Sequence, residues 1–164
     1  MAGIKEKDRQ ISGTFGESVS GPARAKINDA LAGIASTHDH IIIGEPHVYR
    51  SALAVYQHLA KSPELFNDLR ASGITDFALE IPHSWQNGVN SFIVSMTENN
   101  RKAFIDEFTE AVQNYNFLET PTDKRLFAEA FVDIVGNAKA AGMRVHMADF
   151  TAEEFSAHEG VQNL

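Results

Sequence analysis

Three places along the chain set a carboxylate and an imidazole within a few residues of each other: Glu45-Pro46-His47, Glu80-Ile81-Pro82-His83 and His146-Met147-Ala148-Asp149. Groups of this kind support two chemistries. Several carboxylates and imidazoles together can hold a divalent cation, which lowers the pKa of a bound water. Alternatively, a carboxylate orients a histidine, and that histidine takes a proton from water or an alcohol as general base. Glu45, His47, Glu80 and His146 are the candidates for either role, as catalytic groups or as metal ligands, with Asp149 as a further ligand. His47 is the expected general base and Glu80 its orienting partner.

Each candidate also has a plainer reading. Asp149 stands in an Asp-Phe-Thr context that suits a helix N-cap. His83 precedes Ser84-Trp85 at the start of a helical stretch and reads as a loop residue. His146 lies inside an apolar strand, where a satisfied core histidine is as reasonable as a functional one. Glu80, between Leu79 and Ile81, is expected to be part-buried, and buried glutamates are paired. His38, His40, His58 and His158 are assigned surface or structural roles.

The elements that must position these residues follow from periodicity. Ile41-Ile42-Ile43 reads as a buried strand, stopped by Gly44 and Pro46 so that Glu45 and His47 open into a loop. Asp76–Ile81, closed by Pro82, is a second strand, and Met143–Asp149 a third. In an open parallel sheet, ligands bind outside the carboxyl ends of the strands. The acids and histidines are therefore expected to meet at one rim.

Helical spacing joins Ile27, Ala30, Leu31 and Ile34, and then Leu53, Ala54, Tyr56, Gln57 and Leu59. Ser62-Pro63-Glu64 restarts the helix with a serine N-cap and proline in the first turn, and Gly73 ends it at C′. From Ser84 to Gly142 the pattern is helical, and its phenylalanines read as core. Thr151-Ala152-Glu153-Glu154 is a capping box that opens a last helix. The expected fold is α/β: a parallel βαβ sheet flanked by helices, with a helical insertion between the second and third strands. Residues 1–21 read as a flexible polar lead, and residues 22–164 as a single α/β domain, free-standing or a piece of a larger protein.

Composition narrows the classes. The 164 residues are enough for one domain with a real core. A formal net charge of −8, with no basic run, argues against a nucleic-acid partner. The absence of cysteine excludes disulfides, thiolate metal sites and a cysteine nucleophile. No Gly-x-Ser-x-Gly elbow and no phosphate loop is present. No apolar run is long enough to span a bilayer and no signal-peptide pattern opens the chain, so a soluble protein is expected.

With these residues in view, the chain resembles the erythromycin esterase/ChaN-like superfamily. The motifs that carry the likeness are an apolar strand ending Gly44-Glu45-Pro46-His47, a second ending Leu79-Glu80-Ile81-Pro82, and a third reading Arg144-Val145-His146-Met147-Ala148-Asp149, over roughly Asp39 to Asp149. That superfamily takes in Tiki/TraB-type metalloproteases and domains of large bacterial toxins and effectors. The resemblance implies a hydrolase-type domain that activates water through Glu45, His47, Glu80 and His146 toward an ester or amide of a small molecule or peptide. It implies a divalent metal ion, haem or no cofactor as the alternatives, since members differ. A haem- or metal-binding module, or a non-catalytic interaction domain of a toxin with a vestigial site, are the other functions it allows. The corresponding localisations are the cytoplasm or delivery into a host cell. The family pattern continues into further strands beyond the point that Leu164 reaches, which is the basis of the vestigial reading.

Overall fold

Thr120 and Asp123 close a capping box, with the Asp123 N–H donating to Thr120 Oγ1 at 3.0 Å and the Thr120 N–H to Asp123 Oδ2 at 3.2 Å. Pro121 occupies the first turn, where its missing N–H costs nothing. From this start runs a helix of 20 residues, Pro121–Ala140, around which the computed structural model of the protein is arranged. Residues 21–43 and 51–149 are described. In chain order they form α1 (Gly21–Ala35), α2 (Ser51–Ala60), α3 (Pro63–Ala71), β1 (Asp76–Pro82), a 3-10 turn (His83–Trp85), α4 (Gln86–Val94), α5 (Glu98–Ala111), a second 3-10 turn (Val112–Asn114), α6 (Pro121–Ala140) and β2 (Arg144–Asp149).

Helix α6 is apolar on most of its circumference. Phe127, Phe131, Ile134, Val135 and Ala138 are all buried, and α2, α3, α4, α5 and β2 pack on it. A helix with so wide an apolar surface is covered by its neighbours, and the stripe of Arg125, Glu129 and Asp133 stays part-exposed. The phenylalanines expected to be core are core: Phe108 stacks on Phe131 with ring centroids 4.1 Å apart, and Trp85 meets Phe108 edge-on at 5.0 Å. Offset and edge-on pairs of this kind add to the burial of their apolar area.

Two glycines deliver the strands. Gly73, at φ 101, follows α3, and Gly142, at φ 75, follows α6. After α3 the Gly73 N–H donates to Arg70 O and the Ile74 N–H to Leu69 O. After α6 the Gly142 N–H donates to Lys139 O and the Met143 N–H to Ala138 O. These are twin Schellman endings, which need a left-handed residue that glycine supplies without strain. They release the two strands side by side, and the Arg144 N–H donates to Thr75 O at 2.9 Å.

β1 and β2 pair in parallel, with Asp76 opposite Arg144, Ala78 opposite His146 and Leu79 opposite Met147; a shift then sets Pro82 opposite Asp149. Side chains alternate across the sheet. Leu79, Ile81, Val145 and Met147 are buried beneath the helices, whereas Ala78, Glu80, Arg144, His146 and Ala148 are exposed on the outer face.

The expected third strand is not seen. Among the described residues the sheet has two strands, and Ile41–Ile43 has no ladder partner. Ile41 packs against the core, but Ile42 is 94% exposed and Ile43 41%. Strand preference in a short apolar run describes how well it fits a pleated surface, and it becomes a strand only when another backbone pairs with it. Gly44–His47, the N-terminal lead and the helix expected from Thr151 lie outside the described residues.

Ser62 stands at the N-cap of α3, as its sequence suggests, but its hydroxyl makes no cap; it donates to His58 O at 2.8 Å. His58 is buried in a structural node between helices. Its Nε2 lies 3.1 Å from Asn28 Oδ1, and Asn28 Nδ2 donates to Glu64 Oε1 at 3.2 Å. No described helix is long and apolar enough to cross a membrane.

Candidate functional site

The parallel register brings four side chains from the beginnings of both strands together on the outer face. Arg144 donates through Nε to Asp76 Oδ1 at 2.7 Å and through Nη2 to Asp76 Oδ2 at 2.6 Å. Thr75 Oγ1 donates to Asp76 Oδ2 at 2.6 Å, and His146 Nε2 lies 2.7 Å from Asp76 Oδ1. The hydrogen bonds from Arg144, then those from Thr75 and His146, hold the Asp76 carboxyl well below the usual carboxylate range. An ionised carboxylate only accepts, so Nε2 of His146 is the donor in this contact and Nδ1 is the ring nitrogen left for other partners. With 49% of the His146 side chain exposed, water reaches that ring.

Local sequence explains how the cluster forms. Arg144 and His146 are two residues apart on a strand and so share a face. Asp76 follows the first Schellman turn just as Arg144 follows the second. Forked N–H donors of arginine match a carboxylate in this geometry and lock its plane. The dyad is therefore oriented by Arg144 on one side and presented to solvent on the other.

The sequence-predicted residues fall differently from the expectation that they meet at one rim. His146 is not a core histidine; it is on the exposed face, and its hydrogen bond goes to Asp76 near the strand starts, not to Glu80. Glu80 is exposed and not part-buried, because its alternation with Leu79 and Ile81 places it on the outer side. It sits where the register shifts between Leu79 and Pro82, an irregularity of the kind that re-aims side chains at sheet ends. Asp149 is half-buried opposite Pro82, and the helix it was expected to cap lies outside the described residues. His83 is exposed in the turn after β1. Glu45 and His47 lie outside the described residues.

Asp76, Thr75 and Arg144 were not among the sequence candidates. Aligning the two strands on their preceding glycines, with Asp76 three residues after Gly73 and Arg144 and His146 two and four after Gly142, is the signal that finds them. As a metal site the cluster fits poorly. Asp76 is already engaged by Arg144, Thr75 and His146, and a guanidinium beside it opposes a second cation. Among the described residues no three His, Asp or Glu side chains converge as a ligand set.

Beside the sheet lies a cleft of about 730 Å³. Its walls are largely apolar, with Leu31, Val55, Tyr56, Leu59 and Leu69 from the helices; residues 73–80, residues 39–43 and Ala148 of β2 also line it.

A scan against protein-family models gave no match, and searches of curated proteins and of solved structures gave none either.

Proposed function

We propose that the chain is a hydrolase-type domain that activates water toward an ester or amide, with His146 as general base and Asp76 as its orienting carboxylate. The observation that carries this reading is the 2.7 Å contact between Asp76 Oδ1 and His146 Nε2. His146 Nδ1 takes a proton from water as the water oxygen attacks the carbonyl carbon, and the imidazolium then returns that proton to the leaving oxygen or nitrogen. Asp76 holds the ring tautomer and offsets the charge of the imidazolium. Arg144 uses Nε and Nη2 on Asp76. Its Nη1 takes no part in that pair and is assigned to the oxyanion of the tetrahedral intermediate. Glu80 lies on the same face two residues beyond the partner position of His146. Glu45 and His47 contribute to the same reading through their sequence motif.

Turnover of a p-nitrophenyl ester and of a fluorogenic peptide tests this, with unfolding midpoints as a control for folding. His146→Ala should lower turnover by about 10²–10⁴-fold, the usual range for general-base catalysis. Asp76→Asn should also lower it, because the ring loses the carboxylate that fixes its tautomer and offsets the charge of the imidazolium. Wild-type turnover no faster than that of free imidazole would overturn the proposal. If His146→Ala remains active while His47→Ala is dead, the base is His47, as the sequence motif alone suggested.

A further inference from the structure

The two edges of the sheet are treated differently. On β2 the outer edge is plugged by a side chain: Gln86 Oε1 accepts from the Met147 N–H at 2.9 Å, and Gln86 Nε2 donates to Val145 O at 3.1 Å. A carboxamide thus stands where the peptide of a further strand would pair, which is one way to protect a sheet edge. Along Asp76–Leu79, β1 pairs with β2 on one side and with no described strand on the other. That side, open among the described residues, borders the apolar cleft of about 730 Å³, whose lining also includes Ile41, Ile42 and Ile43.

Crossover handedness says which strand belongs there. Parallel connections are right-handed. The β1-to-β2 connection runs through α4, α5 and α6 beneath the inner face. A strand preceding α2 and α3, placed beside β1 on the side away from β2, requires α2 and α3 on that same face. Placed beyond β2, it requires them on the opposite face. α2 and α3 both pack on α6. Ile41 is packed on the core, whereas Ile42 and Ile43 are exposed at 94% and 41%, so the segment borders the cleft without being seated in it.

We infer that Ile41–Ile43 is a strap that closes the cleft by docking on the open edge of β1 as a third parallel strand, in the order strap, β1, β2. Ile41 and Ile43 turn into the cleft and Ile42 comes to the outer face beside Ala78, whose small side chain leaves room for it. The docked strap and an apolar molecule in the cleft exclude each other, so the strap gates the cleft. This stands apart from the dyad chemistry and does not depend on it.

Amide hydrogen exchange on the whole chain tests the strap without any substitution. Docking predicts that Ile41–Ile43 amides exchange at least about tenfold slower than in an unstructured peptide, independent of protein concentration. Exchange at the unstructured rate at all three would overturn the inference. Protection that grows with concentration would also overturn it, since the edge would then be filled by a second copy.

Because the chain has no cysteine, a pair of introduced cysteines gives a second, unambiguous readout. Oxidised I42C/A78C should form an intramolecular disulfide, and I42C/A148C, one strand further away, should not. A folded I42C/A78C protein that stays reduced, or cross-linking equal in both pairs, would count against the strap.

Discussion

The two faces of the β1–β2 sheet are built from alternate residues of the same strands, yet they have opposite physical roles. The inner face, with Leu79, Ile81, Val145 and Met147, is buried under helices. The outer face carries Asp76, Glu80, Arg144 and His146 between the small residues Ala78 and Ala148. Parallel sheets are ordinarily covered on both sides. Here, among the described residues, helices cover the inner face alone, and the β1-to-β2 connection runs through α4, α5 and α6. Polar groups that the buried face could not hold without desolvation are tolerated on the other. Apolar burial is concentrated on one face and the polar network on the other.

The strongest way to break this division is through the covered side. Phe131→Ala removes a fully buried ring from the core between α5 and α6 and should destabilise by about 3–5 kcal/mol, read as the shift of a urea unfolding curve. A smaller loss is expected where the faces meet an edge. Gln86→Ala leaves the Met147 N–H and Val145 O without their amide partner and should destabilise by roughly 1–3 kcal/mol.

Gly142→Ala tests whether register depends on the turn. A Cβ there meets open space, so the cost is that of φ +75 in a non-glycine residue, about 1–2 kcal/mol. Since the turn positions Arg144 and His146, the same variant should also lower turnover; unchanged turnover would separate the turn from the dyad.

The helical side also has a titration. Burial first, then the charge of Arg24, lowers the His58 pKa below its ordinary 6.5, while Glu64 opposes the shift. A folded-state pKa below the unfolded value means that the unfolded chain binds more protons as pH falls through that range. Stability is therefore full above about 6.5 and declines below it. Unfolding midpoints between pH 7.5 and 5 should fall in the wild type and fall less in His58→Gln.

The smallest stability effect belongs to the outer face. Arg144 and Asp76 are exposed, and pairs in that setting contribute little to folding. Asp76→Asn should leave the unfolding midpoint nearly unchanged at neutral pH and still reduce turnover. A large loss of stability instead would mean that this network holds the strands together.

Much of the scaffold was legible because its determinants are local. Pro63 and the helical spacing of Phe127, Phe131 and Val135 act within a turn or two of their own positions. Gly73 was readable as a helix end and Asp76–Ile81 as a strand for the same reason. Glu80 and His146 were legible as polar groups on strands, although their burial was not. Two apolar neighbours along a strand point to the opposite face and do not bury the residue between them.

What only the tertiary structure decided is which groups meet. Asp76 and His146 are 70 residues apart in the chain, and their contact exists because two glycine turns start parallel strands in one register. Gln86 plugs an edge 61 residues further on, which no local pattern encodes. Ile41–Ile43 has a strand-like composition, but a strand is a relation between backbones. Side-chain type sets what a residue can do from its own few neighbours, whereas pairing is set by the long-range ladder that brings distant neighbours beside it.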